Sequence, residues 1–206
     1  MKLALGILIV LVVAVGVWVS LSVGRIEPPQ QQETEQTATT TTQGWQAYNN
    51  TMYGFSARYP QGYSVAEPYT YQALGPGKDI AGVKFVVPAA ATVGTNLAGD
   101  SGISVEYRPG AVNSCSAEIY LTNPTHEGFV DDGARRYSVA RSAEAAAGNR
   151  YEERVYATPT DGGCVGIRYF LHYGAIENYP QGSVREFDRQ ALTAQFDAIR
   201  KSVVLK

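Results

Sequence analysis

Residues 150–173 read RYEERVYATPTDGGCVGIRYFLHY, and this stretch decides the fold class. Apolar and polar side chains alternate over Arg150–Ala157 and again over Cys164–Tyr173, which is the period of a β-strand. The residues between these runs include Pro159, Asp161 and two glycines, which are typical of turns. Because the connection is so short, we expect the two strands to be antiparallel neighbours.

The same alternation extends outward from this hairpin in both directions. Strands are predicted at Arg135–Ala143, Ala81–Val87 and Ile103–Tyr107, and at Gly54–Tyr59, which stops at Pro60. Ser183 and Glu186 have the spacing of a capping box, which predicts a helix that begins near Ser183. The apolar face of this helix is formed by Phe187, Ala191, Leu192, Phe196, Ile199 and Val203. The pattern predicts an α+β domain whose last helix packs on its own sheet.

The N-terminal part of the chain has a different composition from the rest. Leu3–Val23 is a run of 21 uncharged residues, long enough to cross a hydrocarbon core about 30 Å thick as one helix. A cleaved secretory signal is the alternative, although its apolar stretch is usually only about 7–15 residues. Residues 25–44 are rich in Gln, Thr and Pro and cannot bury enough surface to fold. We therefore expect a single-pass transmembrane anchor at 1–24 that contacts membrane lipid, a disordered linker at 25–44, and a domain at 45–206 outside the cytoplasm.

Overall charge and the two cysteines narrow the class of protein further. The formal net charge is −2, which argues against nucleic acid as a partner. Two cysteines are too few for a four-cysteine zinc site, and two histidines leave little material for a histidine-rich metal centre. In an extracytoplasmic domain, Cys115 and Cys164 are expected to form a disulfide, with free thiols as the alternative.

Three short motifs suggest catalysis or cofactor binding, and each lacks a required residue. Gly99-Asp-Ser101-Gly102 is followed by Ile103, whereas the nucleophile turn of chymotrypsin-like proteases continues with glycine. Gly75-Pro-Gly77-Lys78 lacks the first glycine of a phosphate loop. Asp131-Asp132 lacks the ligand spacing of a calcium loop. We therefore predict no catalytic residue, no metal site and no cofactor.

One set of polar residues on the central hairpin suggests a binding patch. Arg168 and His172 share one face of their strand, and Arg154 lies on the neighbouring strand. If the two faces coincide, Arg154, Arg168 and His172 could bind an anionic group or a carboxylate of a partner. The alternative is a solvated face whose arginines pair with acidic neighbours such as Glu152.

Both ends of the domain resemble a known family. The stretch from Trp45 to Pro60, WQAYNNTMYGFSARYP, resembles the opening of PsbP-like domains in bacterial membrane-anchored proteins. Residues 179–203 resemble the closing helix and strand of the same domains. The resemblance implies an antiparallel sheet sandwiched by helices, and binding or assembly roles rather than catalysis.

The sequence leaves three classes of function open. A membrane-anchored, extracytoplasmic binding or assembly module with an unknown protein partner is the leading hypothesis. An extracytoplasmic hydrolase that uses His172 or Ser101 is the second hypothesis. A purely structural protein of the cell envelope is the third.

Overall fold

The computed structural model describes residues 44–133 and 135–206, which contain ten strands and two short α-helices. The strands are β1 (Trp45–Asn50), β2 (Phe55–Pro60), β3 (Ser64–Tyr71), β4 (Ile80–Val86), β5 (Gly102–Pro109), β6 (Thr125–Asp132), β7 (Arg135–Ala146), β8 (Asn149–Thr160), β9 (Gly163–Gly174) and β10 (Val204–Leu205). The α-helices are α1 (Ala89–Thr92) and α2 (Arg189–Lys201), and 3-10 helices cover Ala117–Tyr120 and Ile176–Asn178.

Antiparallel pairing joins the strands into two sheets. The large sheet has seven strands in the order β3-β4-β5-β9-β8-β7-β6, and the small sheet has the order β1-β2-β10. The predicted hairpin, β8 and β9, lies inside the large sheet. Thr160 pairs with Gly163 at its turn, and Asn149 pairs with Gly174 at its far end. The mostly antiparallel architecture with few helices is thus confirmed.

The large sheet is covered on both faces, by different layers. On the face that carries Tyr156, Ile167 and Tyr169, called the helix face below, α2 and the small sheet form the main core. On the opposite face, called the loop face, residues 110–124 pack against Val155 and Cys164. A helix sandwich is not confirmed, because the layer on the loop face is a loop with one turn of 3-10 helix.

The predicted disulfide holds this loop in place. Cys115 and Cys164 are bonded, with their α-carbons 5.2 Å apart. Tyr120 lies directly on Gly166, where an added Cβ would come within 2.6 Å of the tyrosine ring. The Tyr120 hydroxyl donates to the carbonyl of Cys164 at 2.7 Å. Glycine at 166 therefore lets Tyr120 of the loop approach β9, the strand to which the disulfide also links the loop.

Helix α2 begins later than the capping-box pattern predicted. Its N-cap is Asp188, whose side chain accepts a hydrogen bond from the Ala191 amide at 2.9 Å. Ser183 instead donates to the carbonyl of Pro180, so the predicted box is wrong. The predicted apolar face is largely correct, since Leu192, Phe196 and Ile199 are buried against the sheet, although Ala191 is exposed.

The predicted anchor, and the predicted linker up to residue 43, lie outside the described residues. Within residues 44–133 and 135–206, no helix has both the length and the apolar character needed to cross a bilayer.

Candidate functional site

Arg154 and Arg168 lie on opposite faces of the sheet, so the predicted three-residue patch is wrong. In the pairing of β8 with β9, Arg168 stands opposite Val155, and Arg154 stands opposite Tyr169. Cross-strand partners in an antiparallel pair share a face. Arg168 and His172 therefore lie on the loop face, and Arg154 lies on the helix face.

Arg168 is completely buried and has a structural role. Its guanidinium makes two hydrogen bonds of 2.8 Å to the Glu106 carboxylate and a third to the carbonyl of Tyr120. A second carboxylate, that of Glu153, lies 3.2 Å away, and the Tyr71 ring stacks at 3.4 Å. Burial alone would lower the pKa of Arg168, but the charge and hydrogen bonds of Glu106 and the charge of Glu153 together outweigh burial, and the pKa is raised. A side chain with these contacts is not available to a partner.

His172 and Ser101 are close in space but do not form a nucleophile and base. His172 binds Asp100 through Nδ1 at 2.8 Å and stacks on Tyr151. The buried Ser101 hydroxyl donates to the His172 carbonyl at 3.1 Å and accepts from the His172 amide at 3.0 Å. Because both bonds use the main chain, the Ser101 hydroxyl has no activating contact with the imidazole.

Arg154 lines a cleft between α2 and the helix face of the large sheet. The cleft has a volume of about 570 Å³ and is called the α2 cleft below. Its lining residues come from β6 to β9, from α2 and from the loop before β6: Asn123, Thr125, Glu127, Arg141, Ser142, Ala143, Glu152, Glu153, Arg154, Tyr169, Leu171, Arg189, Thr193 and Phe196. This volume lies in the ordinary range of ligand-binding clefts, about 300–1,000 Å³.

Three buried residues of the α2 cleft lining present apolar surface. Leu171 and Phe196 are core residues of the layer between α2 and the sheet. Tyr169 is also buried, and its hydroxyl donates to Asp197 at 2.7 Å and accepts from Arg200 at 2.8 Å. Burial raises the pKa of Tyr169, so this phenol stays neutral. Since the hydroxyl is used by the helix, the ring adds apolar surface to the lining.

Three arginines and three glutamates line the α2 cleft, so the charges of its lining balance. Glu127 lies between two arginines, 2.7 Å from Nε of Arg154 and 3.2 Å from Nε of Arg141. Glu152 pairs with Arg189 and also accepts a hydrogen bond from Tyr173. These arginine side chains are 44–64% exposed, so the pairs are the weak, solvated kind. The third glutamate, Glu153, lies 3.2 Å from the buried Arg168.

Four of the rim residues were not predicted from the sequence: Glu127, Arg141, Glu152 in its cleft role, and Arg189. A signal existed for Arg141. The two-residue turn Ala147-Gly148 pairs Ala146 with Asn149, and counting back along both strands places Arg141 opposite Arg154. Glu127 lies on β6, whose exposed edge has no clear alternation. Arg189 depends on where α2 begins.

In the part of the chain that the structure describes, no three His, Cys, Asp or Glu side chains lie close enough together to hold a metal ion.

The chain matches no family model, and no curated protein matches it significantly. Among solved structures, it is similar to a protein of Bacteroides thetaiotaomicron at 11% identity and a TM-score of 0.46, over 79% of this chain and 49% of that one. It thus spans about half the length of the Bacteroides protein. It is also similar to the cyanobacterial PsbP, CyanoP, of Synechocystis at 14% identity and a TM-score of 0.36, over 79% of this chain and 93% of that one. Both TM-scores are below 0.5, so neither similarity carries an argument about function.

Proposed function

We propose that this protein is a membrane-anchored, extracytoplasmic binding or assembly module, and that a partner binds in the α2 cleft. The observation that carries the proposal is an open cleft of about 570 Å³ that combines buried apolar side chains with three exposed arginines. Arginine is the side chain best suited to bind a carboxylate at an interface, because its planar guanidinium group can donate two parallel hydrogen bonds to it.

The proposed location outside the cytoplasm rests on two features. The Cys115–Cys164 disulfide is of the kind that persists in oxidising compartments. The uncharged segment Leu3–Val23 has the length of a membrane-spanning helix. The resemblance of residues 45–60 and 179–203 to PsbP-like domains supports a binding role in the same setting.

A hydrolase is less well supported than a binding module. The Ser101 hydroxyl is buried and bonded to main-chain atoms of His172, so it has neither a base nor access to substrate. A purely structural envelope protein would have no use for an open charged cleft beside its last helix.

A photo-crosslinking amino acid in place of Thr193, which lines the α2 cleft, tests the proposal in native membranes. We expect a discrete crosslinked partner from position 193 that is lost with Arg154→Glu. The matched control places the same crosslinker at Met52, an exposed turn residue outside the cleft. The same adducts from both positions, or an adduct at 193 that Arg154→Glu leaves unchanged, would contradict binding in the cleft.

The anchor is tested separately on the same membranes. We expect the protein to resist washing with salt and to keep the segment Leu3–Val23 in its mature form. A mature chain that starts at Val23 or Arg25 and washes off would show that the segment is a cleaved signal.

A further inference from the structure

We propose that Lys84 is a carbonyl-reactive lysine, whose amine binds an aromatic aldehyde covalently as an imine. Lys84 lies on β4 and belongs to the loop face, because it pairs with Ser104 of β5, which in turn pairs with Arg168 of β9. The α2 cleft lies on the helix face. The site of Lys84 is therefore separate from the cleft and does not depend on the proposed function.

Lys84 is buried without a counter-ion. It is 8% exposed, whereas lysine is almost never buried unless it is paired. Within the described residues its amine has no ion pair and no hydrogen bond. The amine lies instead over two aromatic rings, 4.5 Å from the centre of Phe170 and 5.5 Å from the centre of Tyr69. These three side chains are called the Lys84 site below.

The Lys84 site is open to solvent on one side. Tyr69 and Phe170 are both half-buried, so part of each residue remains accessible. The polar atoms of the described chain that are sealed from solvent without a partner do not include Nζ of Lys84. The small surface that Lys84 keeps therefore includes its reactive end, and a small molecule can reach the amine beside the rings.

A glycine sets the path of the lysine side chain. A Cβ added at Gly102 would come within 3.2 Å of Cε of Lys84. The aliphatic stem of Lys84 thus passes over Gly102, whose partner on β9 is Phe170. Because any larger residue at 102 would occupy this path, the glycine allows the stem to place the amine over the Phe170 ring.

Burial makes the amine of Lys84 more nucleophilic than that of an exposed lysine. Four charged groups act on its pKa: Asp100, Glu106, Glu153 and Arg168. The three carboxylates raise the pKa and the guanidinium lowers it, but burial is the largest effect and the pKa is lowered. Each carboxylate is bonded to another side chain, namely to His172, Arg168 and Tyr71 in turn. The neutral amine, which is the nucleophile, is therefore more populated near neutral pH.

The aromatic rings favour a carbonyl compound over an acylating agent. The amine nitrogen attacks the carbonyl carbon, and the oxygen takes one proton from the nitrogen and one from solvent and leaves as water. The product is a protonated imine, whose positive charge stays over the rings of Phe170 and Tyr69. Acylation would give a neutral amide and lose this attraction.

The buried setting favours an aromatic aldehyde among carbonyl compounds. An ammonium is a compact, strongly hydrated charge, so it is costly to bury. The protonated imine of an aromatic aldehyde spreads its charge over the attached ring, which lowers that cost. The same ring can pack against Phe170 in an offset or edge-to-face arrangement.

Reductive trapping on the full chain in a neutral detergent tests the proposal. Benzaldehyde is the probe, cyanoborohydride reduces the protonated imine to a stable secondary amine, and peptide mass spectrometry locates it. At about pH 7 we expect at least about tenfold more labelling of Lys84 than of the exposed Lys78 and Lys201. The labelling of Lys84 should also persist to lower pH than theirs, because burial lowers its pKa.

Variants and a second aldehyde test the role of the rings. Phe170→Leu should reduce the labelling of Lys84 roughly threefold to tenfold, because it removes the nearer ring. Phe129→Leu, at an exposed phenylalanine of β6, is the matched control and should have no effect. Propanal, which has no ring, should prefer Lys84 over Lys78 less than benzaldehyde does. The melting temperature of each variant shows that it is folded.

Equal labelling of Lys84 and Lys78 by benzaldehyde would overturn the proposal, and so would unchanged labelling of Lys84 in Phe170→Leu. Preferential acetylation of Lys84 by acetic anhydride, without preferential labelling by benzaldehyde, would show a reactive amine of another class and would also overturn it. None of these outcomes changes the partner crosslinked from position 193, so the proposed function is tested separately.

Discussion

The substitution Glu106→Gln is predicted to destabilise the domain strongly, although no site is touched. Glu106 and Arg168 are both fully buried and share two hydrogen bonds of 2.8 Å. Glutamine has the same size but no charge, so Arg168 would keep only Glu153 at 3.2 Å as a charged partner. Burial raises the pKa of Glu153 despite the opposing charge of Arg168, so this carboxylate is itself costly to ionise.

Breaking a buried ion pair by removing one partner costs about 3–5 kcal/mol. The remaining contact of Arg168 with Glu153 places the expected loss at the lower end, about 3 kcal/mol. A domain of this size loses roughly 2–4 °C in melting temperature per kcal/mol. We therefore expect the melting temperature to fall by roughly 6–12 °C.

Thermal and urea unfolding, followed by circular dichroism, measures this loss. Glu127→Gln is the matched control, because it removes the same charge from two solvated pairs, each worth at most about 1 kcal/mol. The double change Arg168→Met, Glu106→Leu should recover part of the stability, because it removes both charges of the fully buried pair, while Glu153 keeps its hydrogen bonds from Tyr71 and Ser142. If Glu106→Gln lowers the melting temperature no more than Glu127→Gln does, Arg168 does not depend on Glu106 and the account of the loop face is wrong.

Three further predictions concern the layers around the sheet. Replacing both Cys115 and Cys164 with alanine should lower the free energy of unfolding by roughly 2–5 kcal/mol, measured by urea denaturation with and without reductant. Asp188→Ala should cost about 1 kcal/mol because it removes the N-cap of α2, while Ser183→Ala should be nearly neutral in the same assay. Alkaline titration, followed by tyrosinate absorbance, should show a late and cooperative phase. Burial raises the pKa of nine tyrosines above the ordinary value near 10, and that of Tyr48 to about 12: Tyr48, Tyr63, Tyr69, Tyr71, Tyr120, Tyr137, Tyr156, Tyr169 and Tyr173. The stability that these neutral phenols contribute is therefore present below pH 10 and is lost as the pH rises through their folded-state pKa values. A smooth titration of all fourteen tyrosines near pH 10 would contradict this prediction.

The strands that alternation predicted lie inside the sheets, and the strands it missed lie at their edges. β5 and β9 are central and pack apolar side chains on the helix face, so their period of two is plain in the sequence. β3 and β6 are the edges of the large sheet, and β1 is an edge of the small one. The side chains of β6 are exposed or half-buried on both faces, so its sequence shows no alternation of apolar and polar residues that would predict a strand.

The error in the predicted patch has a geometric cause that the sequence already contained. The alternation within β9 was interpreted correctly, since Arg168 and His172 do share a face. What was missed is the register of β8 with β9. The turn Asp161-Gly162 pairs Thr160 with Gly163, so every even-numbered residue of one strand pairs with an odd-numbered residue of the other. Arg154 and Arg168 are both even and cannot share a face.

The burial of Arg168 also follows from the sequence when the predicted disulfide is combined with the alternation of side chains along β9. Cys164, Gly166 and Arg168 alternate along β9 and therefore share the loop face. A bond from Cys164 to Cys115 must draw the segment around Cys115 over that face, and glycine at 166 leaves room for Tyr120 to follow. An arginine two residues further on is then covered by the same segment and needs a buried carboxylate, which Glu106 supplies from β5. Arg154, on the face that the disulfide does not cover, is left at the rim of the α2 cleft with its side chain 44% exposed.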